Sequence, residues 1–599
     1  MVGQAKFQAR MIQVLRGSRV FGLLDESVLQ DLAGFLELQD VRGGRQVLRE
    51  GDPSDSMLFV VSGRLRVSRR NPDGSLLLYN EISAGESVGE TGMILHQPRT
   101  ADVTAVRDST LAVLHRSNFE TLLSLQPVAV NRVFSQAIYS HLRHAAQINE
   151  RHYAQSFVVV PLHIGARADE VARSLTKAFA QTGKVHHLAP VAAQDSEVVG
   201  SEDYVVARND ELEEQFDYLV YEAEPVASSW TRRAFRQADQ VIFVANADSP
   251  LALGELELQL TREPGFAMKR KHLVVVHPAS TAFPFETRRW LKGRSCERVY
   301  PVREGLDADF NRLGRFLTGK AVGVVLGGGG ARGYAHLGVL RALHEAGIPV
   351  DMVGGNSMGA LIGAQYACDV PLDEIRERTQ AFAQAGERLT LPLISIVSGY
   401  RVQRDLKKMF GDTSVDSLWR PFFAAACNLS KGNTTVQDSG PLWRAVLASN
   451  SPAGLFPPVL HKGDLLVDGA ILENVPVGAM RMRLGTPLEK RRGNGTIIAI
   501  DVDVQEDLGV DPALTHLSRW TTLKDIFSRQ GRTTPGIAEI LYRAGHIGGL
   551  NKRAATVAEA DHYLEPPVAE YSLMDHKRAA EIVGRGYTHA VEKVAQWQR

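Results

Sequence analysis

Two glycine-rich strings lie one strand and one helix apart in the second half of the chain, and each follows an apolar segment. The first occupies residues 327–333, after the apolar run at 321–326, and the second occupies residues 354–359, after the run at 349–353. At both places the pattern passes from a buried strand through a tight turn into a helix. The strings therefore predict an α/β region over residues 320–599.

At 599 residues the chain is too long for a single hydrophobic core, and other regions precede this one. Residues 10–125 consist of short apolar runs separated by turn signals, which predicts a small antiparallel β-barrel or sandwich. The pattern becomes helical over 126–150, and we expect this helix to close the first domain.

The middle region contains fully apolar runs of four residues, at 157–160, 218–221, 241–244 and 273–276. Such runs predict strands of a parallel sheet that is covered on both faces. The predicted fold is therefore multidomain. An N-terminal β-barrel domain at 10–150 is followed by a middle α/β domain at 155–318 and a C-terminal α/β domain at 320–599.

The composition gives no support to a nucleic-acid partner, because 68 basic and 68 acidic side chains leave a formal net charge of zero. Cys296, Cys368 and Cys427 are widely separated and form no metal-ligand cluster, so we expect a cytoplasmic location and no metal site. The N-terminus has no signal-peptide pattern, and no apolar run reaches about 18 residues. Any lipid contact is therefore expected to be peripheral.

The first glycine string has the geometry of an anion site. Its backbone N–H groups would converge at the positive end of the following helix, which suits a phosphate or the oxyanion formed when an ester is attacked. The same residues fit the dinucleotide pattern G-x-G-x-x-G through Gly328, Gly330 and Gly333, with Asp351 at a suitable distance. On this string alone, an ester hydrolase and a dinucleotide-binding protein are both open.

The second string carries Ser357 between Gly355 and Gly359. A nucleophilic serine needs a sharp turn between strand and helix, and small residues two positions before and after it let the backbone close there. This context favours the hydrolase, but a hydroxyl also needs a base. The histidines past residue 500 have no diagnostic context; they are His516, His546, His562, His576 and His589.

Asp468 offers another base. It follows the apolar run at 465–467 and precedes Gly469, the expected setting for a carboxylate at a strand end. An aspartate can act directly when desolvation raises its basicity, so a dyad with Ser357 is the simplest interpretation. Taken alone, however, an Asp-Gly pair is more often an ordinary turn.

Residues 328–333, 355–359 and 468–470 resemble, in content and order, the sequence blocks of the patatin-like phospholipase family. The resemblance implies a Ser–Asp dyad that needs no catalytic cofactor. Ser357 would be the nucleophile and Asp468 the base.

The same resemblance assigns a role to the glycine loop. Gly328, Gly329 and Gly330 would form the oxyanion hole, and Arg332 would help to shape it. Asn474 would shape the loop that carries the aspartate.

Residues 87–101 form a second candidate anion site. A short turn and helix after Gly89 would direct N–H groups at an anion, with Arg99 available for a phosphate and Glu90 for a ribose hydroxyl. Without further context, Glu90 and Arg99 would be a surface ion pair. The whole string resembles the phosphate-binding cassette of cyclic nucleotide-binding domains. This implies that Arg99 meets the cyclic phosphate of cAMP or cGMP, with Thr100 beside it and Glu90 on the 2′-hydroxyl.

A cyclic nucleotide-binding domain ahead of a patatin-like domain resembles the neuropathy target esterase group of lysophospholipases. This implies a hydrolase of phospholipid or lysophospholipid acyl esters, peripheral to the membrane, with cyclic nucleotide as a regulatory ligand. The alternative is a catalytically silent scaffold or a nucleotide-sensing protein. One nucleotide-binding domain and no membrane anchor are expected. The helix at 126–150 would pair two copies in a homodimer.

Overall fold

A computed structural model describes the chain over most of its length. The described ranges are 24–70, 76–128, 154–190, 215–284, 287–484, 495–503 and 551–597, with isolated positions between them. The chain divides into two compact units, one made mainly of residues up to 318 and the other mainly of residues from 319 onward.

The first unit begins with two four-stranded sheets whose neighbouring strands are antiparallel. In spatial order, one sheet contains Glu37–Val41, Ser109–His115, Ser56–Ser62 and Ser87–Val88. The other contains Gln46–Leu48, Asp102–Ala105, Arg64–Arg70 and Leu76–Ser83. The helices described in this region are Glu26–Gly34, Glu90–Leu95 and Arg116–Leu125.

The strand Ser56–Ser62 contributes to two hydrophobic clusters, because successive side chains of a strand face opposite sides of the sheet. Leu58 lies in a buried cluster with Leu65 of the other sheet. Phe59 lies in a different cluster, with Leu32 of the first helix. The predicted β-barrel type of the first domain is confirmed.

The rest of the first unit is a six-stranded sheet in which all strands are parallel. In spatial order its strands are Val185–Leu188, Tyr218–Glu222, Gln155–Pro161, Gln240–Asn246, Arg270–His277 and Arg298–Arg303. The described helices are Ala168–Phe179, Ser229–Gln237, Glu255–Leu260 and Asp307–Leu317. The predicted parallel sheet is confirmed, whereas most of the helix predicted at 126–150, with its homodimer surface, lies outside the described residues.

Buried ion pairs join the antiparallel sheets to the parallel sheet within this unit. The carboxylate of Asp239 lies 2.8 Å from Arg64 Nη1 and 3.3 Å from Arg107 Nε. Burial alone would raise the pKa of Asp239, but the two cations hold it below its usual value. Gly44 and Gly265 approach so closely that a Cβ on Gly44 would lie 2.1 Å from the Gly265 nitrogen. The two regions therefore share a closely packed, charged interface.

The second unit is built on an eight-stranded mixed sheet. In spatial order its strands are Val459–His461, Asp464–Asp468, Phe422–Asn428, Met352–Gly355, Val322–Leu326, Thr496–Ile500 and His562–Leu564, with Asn433–Gln437 pairing beside Phe422–Asn428. The described helices are Ala335–Glu345, Met358–Ala367, Leu372–Gln384, Tyr400–Phe410, Leu442–Ser449, Val477–Leu484 and Ala579–Trp597. None of the helices in the described ranges combines the length and the hydropathy needed to cross a membrane.

The order of these strands determines where the sequence motifs meet. Val322–Leu326 and Met352–Gly355 are parallel neighbours with Leu326 opposite Gly355, so both glycine turns leave the sheet at the same edge. Phe422–Asn428 lies parallel on the far side of Met352–Gly355. Asp464–Asp468 runs antiparallel to it and ends with Asp468 opposite Ala426. Asp468 therefore lies at the same edge of the sheet as the two glycine turns, although its strand runs in the opposite direction.

Candidate active site

The turn at Ser357 has the strained geometry of a nucleophile elbow. Ser357 has φ 49° and ψ −123°, a left-handed φ that is unusual for a residue other than glycine. A Cβ on Gly355 would lie 2.7 Å from the backbone of Gly359, and a Cβ on Gly359 would lie 2.1 Å from the Leu326 carbonyl oxygen. Both positions therefore require glycine, because strand and helix close on each other at this point.

Backbone hydrogen bonds hold the serine in this conformation. The N–H of Ser357 donates to Ser449 Oγ at 3.0 Å, and Asn450 Nδ2 donates to the Ser357 carbonyl at 2.8 Å. Ser449 Oγ in turn donates to Asn356 Oδ1 at 3.0 Å. The same Asn356 oxygen accepts from the N–H of Gly469 at 3.1 Å. This network links the residue before the serine to the residue after Asp468.

Asp468 lies at the end of its strand and is buried, with 3% of its surface exposed. Its Oδ1 accepts from the N–H of Ala470 at 3.0 Å, and its own N–H donates to the Ser451 carbonyl at 2.9 Å. Burial, reinforced by the negative charge of Asp468, raises the pKa of the neighbouring Cys427 thiol. Hydrogen bonds thus position both the carboxylate and the backbone of Asp468, in a poorly solvated part of the domain.

The glycine loop lies against the serine. A Cβ on Gly328 would lie 3.1 Å from Ser357 Cβ and 2.8 Å from Asn474 Oδ1, so the loop packs tightly against both side chains. Asn474 clamps Gly328 by accepting from its N–H at 3.0 Å and donating to its carbonyl at 3.2 Å. The N–H groups of Gly329 and Gly330 are engaged by no acceptor within the described part of the chain. Asn474 therefore fixes the glycine loop at Gly328, and the N–H groups of the next two glycines stay available to a ligand.

Buried polar side chains support this loop from behind. Arg332 donates from Nε to the Tyr571 carbonyl at 2.7 Å, so it braces the turn through a distant segment. His336 lies 2.8 Å through Nε2 from the Gly327 carbonyl and is fully buried. Burial lowers the pKa of His336 to about 4, so the ring is neutral at pH 7 and donates from Nε2. Both side chains shape the loop through contacts away from the serine hydroxyl.

The dinucleotide interpretation finds no support in the position of Asp351. Its carboxylate accepts from the N–H of Val322 at 2.9 Å, at the start of the strand whose other end leads into the glycine loop. A ribose-binding carboxylate would have to lie on the loop side of the sheet. Asp351 is therefore a buried acceptor for the strand.

Of the three described histidines past residue 500, His562 and His576 have other partners, whereas Nε2 of His589, on the helix Ala579–Trp597, is buried without a hydrogen-bond partner among the described residues. The ring of His562 stacks on Trp597 with centroids 3.9 Å apart, and His576 meets Tyr334 edge-on. His516 and His546 lie outside the described residues. The network around Asn356 thus joins Ser357 to the turn that follows Asp468.

The turn and helix predicted after Gly89 are present, and Arg99 of the same string already has hydrogen-bond partners within the domain. Gly89 has φ 93° and precedes the helix Glu90–Leu95. Arg99 turns inward, and its guanidinium donates to the Gly89 carbonyl at 3.0 Å and to the Ser56 carbonyl at 2.5 Å. Glu90 and Arg99 are only 2% and 6% exposed, which excludes a surface ion pair, whereas Thr100 is exposed.

Three family models match separate parts of the chain. The patatin-like phospholipase model matches residues 324–481, the cyclic nucleotide-binding domain model matches residues 38–126, and the Neuropathy Target Esterase family P-loop like domain model matches residues 155–301. The chain carries a patatin-like phospholipase domain behind a cyclic nucleotide-binding domain. The family resemblance drawn from the motifs is therefore confirmed.

Similar proteins align with most of the length of this chain. Lysophospholipase nte1 of Neurospora crassa is 29% identical over 93% of this chain and 42% of its own length. Patatin-like phospholipase domain-containing protein 7 of Rattus norvegicus is 30% identical over 96% of this chain and 46% of its own length. The chain thus spans less than half the length of either relative. A solved cyclic nucleotide-binding domain from Methylobacillus flagellatus is 24% identical, covering 23% of this chain and 80% of its own, with a TM-score of 0.22.

The roles of Asn356, Ser449 and Asn450 in this network are not evident from the sequence. Ser449 and Asn450 are separated from their partners by 92 or 93 residues. Helix-end serines and asparagines are common, so no local pattern distinguishes these two. These contacts could be predicted only from the order of the strands in the sheet.

Proposed function

We propose that this chain is a serine hydrolase that cleaves acyl esters of phospholipids, and lysophospholipids in particular. The observation that carries the proposal is the left-handed Ser357 elbow, joined through Asn356 to the turn that bears the buried Asp468. A strained φ of this kind persists only where surrounding contacts enforce it, and such residues concentrate at active sites. The names of the relatives favour lysophospholipids over other esters.

In the proposed reaction, Ser357 Oγ attacks the ester carbonyl carbon while Asp468 accepts the hydroxyl proton. The negative charge that develops on the carbonyl oxygen would be met by the N–H groups of Gly329 and Gly330. Gly328 contributes space beside the nucleophile, since its N–H is bonded to Asn474.

Collapse of this intermediate expels the glycerophospho alcohol, which leaves with the proton that Asp468 returns. Water then attacks the acyl-Ser357 ester and gives its proton to Asp468. A second collapse releases the fatty acid and restores the serine hydroxyl. The proposed cycle uses only side chains and backbone groups of this chain.

The N-terminal domain supports a second role, which is regulation of the hydrolase by a cyclic nucleotide, cAMP or cGMP. The inward-facing Arg99 beside Gly89 favours it, because a buried guanidinium can bind a phosphate in a poorly solvated pocket. Regulation further requires a coupling free energy between nucleotide binding and catalysis. We also propose the division into domains at 10–150, 155–318 and 320–599, and peripheral contact with the membrane that holds the substrate.

Hydrolysis of a lysophospholipid by the purified wild type and by Ser357→Ala tests the principal proposal. We expect fatty acid release from the wild type and a loss of at least about 10³-fold in the variant, because the nucleophile is removed. Retained turnover in Ser357→Ala would contradict the assignment. No turnover by the wild type on lysophospholipid or diacyl phospholipid would leave the nucleotide-sensing alternative as the better account.

A further inference from the structure

An apolar loop in the second unit holds its large side chains out in water. Leu389, Leu391, Leu393 and Ile394 are 80%, 78%, 88% and 74% exposed, respectively. Single exposed apolar residues are common on protein surfaces, but four within six positions form a continuous patch. We name residues 388–398 the leucine loop.

The leucine loop is held in shape by its own backbone. Thr390 N–H donates to the Ile396 carbonyl at 3.0 Å, and Ser398 N–H donates to the Arg388 carbonyl at 2.9 Å. The buried Ser395 hydroxyl donates to the Val397 carbonyl at 2.7 Å. The exposed side chains thus lie on a closed, hydrogen-bonded scaffold.

The base of the leucine loop is attached to the segment that positions the proposed dyad. Ile396 and Val397 donate from their N–H groups to the carbonyls of Gly454 and Leu455, both at 3.0 Å. Three residues before Gly454, the carbonyl of Ser451 accepts from the N–H of Asp468 at 2.9 Å. Only a few residues of backbone therefore separate the apolar loop from the proposed base.

A basic helix follows the leucine loop directly. The helix Tyr400–Phe410 carries four cationic side chains and a single anionic one, Asp405. Arg404, Lys407 and Lys408 are exposed and are the cations available to a membrane, whereas Arg401 is largely buried and donates to the Phe382 carbonyl and to Asp405. Apolar side chains beside basic ones are the combination that binds the interface of an anionic bilayer.

We propose that the leucine loop and the adjoining basic helix dock the hydrolase domain on a lipid bilayer that contains anionic phospholipid. This inference rests on the proposed function, which requires the active site to meet a membrane-borne ester. The leucines enter the acyl boundary, the cations meet the phosphate headgroups, and the attachment at Gly454 and Leu455 holds the site beside the surface. A bilayer suits this patch better than a second copy, because each copy would bring the same excess of positive charge.

Vesicle flotation tests the proposal without relying on catalysis. The probe is this chain carrying Ser357→Ala, mixed with vesicles of phosphatidylcholine with or without phosphatidylserine, and it is compared with the same protein that also carries Leu391→Asp and Leu393→Asp. We expect binding that increases with phosphatidylserine and falls at least about tenfold in the double variant. Ile164→Asp, at a side chain that is 87% exposed in the first unit, is the matched control and should bind as its parent does.

Equal flotation of the double variant and its parent would overturn the docking proposal. If the double variant instead loses self-association on ultracentrifugation while its flotation is unchanged, the patch binds a second copy of the chain. Leu393→Ser alone, with an unchanged melting temperature, guards against a folding defect and should show a smaller loss. If loop-dependent flotation occurs but wild type hydrolyses no ester, the proposed function fails and the docking surface stands. If wild type hydrolyses lysophospholipid and flotation ignores the loop, only the docking proposal fails.

Discussion

The turn at Ser357 and the turn at Gly89 have the same local plan, since each has a left-handed residue at the start of a helix. They differ in what the surrounding residues hold. At Ser357 the network bonds the backbone N–H and carbonyl, and no hydrogen bond engages the hydroxyl within the described residues. At Gly89 the side chain that we propose for phosphate binding, Arg99, is bonded to backbone carbonyls.

This difference separates a turn whose backbone is fixed while its side chain has no hydrogen bond from a turn whose side chain must exchange partners. If Ser357 is the nucleophile, its backbone would need little reorganisation, and only the hydroxyl would have to turn towards the base. A cyclic phosphate, in contrast, would have to replace hydrogen bonds from Arg99 that are each worth about 1.5–3 kcal/mol. We therefore expect catalysis to depend on the supporting network, and nucleotide affinity to depend on how easily Arg99 is released.

The largest expected effect comes from Asp468→Asn. The amide keeps the size of the side chain but cannot accept the serine proton, so we expect kcat for lysophospholipid to fall about 10³-fold or more. KM should change little, because no substrate contact is removed. Steady-state kinetics on the purified variant measures both. An unchanged kcat would show that another group is the base.

Ser449→Ala tests whether the backbone network makes the serine ready. Loss of the hydroxyl leaves the Ser357 N–H without its acceptor and Asn356 Oδ1 with only the Gly469 N–H as a donor, and we expect kcat to fall about 10- to 100-fold. Ser451→Ala is the matched control, since Ser451 follows the same helix and, among the described residues, its Oγ donates to the Leu447 carbonyl and not to the network around Ser357. Equal losses in the two variants would reduce the effect of Ser449 to general packing.

Arg99→Ala addresses the other site. If the guanidinium binds the cyclic phosphate, its removal should weaken cAMP or cGMP binding about 10- to 100-fold in calorimetry. Lysophospholipid hydrolysis without nucleotide should be unaffected. Undiminished nucleotide binding by the variant would assign Arg99 to structure alone.

Ser56→Ala is expected to have the smallest effect and an opposite sign. Arg99 Nη2 lies 3.2 Å from Ser56 Oγ, so removing that oxygen takes away one competitor of the phosphate but leaves the Ser56 carbonyl. We expect nucleotide affinity to rise by about threefold or less. Weaker binding in the same titration would mean that the serine contacts the nucleotide.

Much of the fold could be predicted because its signals are local. The strand Val322–Leu326 agrees closely with the apolar run at 321–326, and the helix Ala335–Glu345 follows the glycine turn as predicted. Apolar runs and glycine turns are set by neighbouring residues, so they are visible without a structure. The same holds for the Ser357 elbow, whose two glycines are required by backbone closure alone.

The support of the site could not be predicted in the same way. Ser449 reaches Ser357 across 92 residues, and Arg332 reaches the Tyr571 carbonyl across 239 residues. Such contacts follow from the order of strands in the sheet, which a single sequence does not reveal. Asn474 illustrates the limit, since it was expected to shape the aspartate loop and instead bonds both polar groups of Gly328.

Fluorophosphonate labelling followed by intact-protein mass spectrometry tests the central claim most directly. The reagent modifies only an activated serine, and it needs no knowledge of the natural substrate. We predict a single adduct on wild type, none on Ser357→Ala, and markedly slower labelling of Asp468→Asn. An adduct that forms on Ser357→Ala at the wild-type rate would contradict the assignment of Ser357 as the nucleophile.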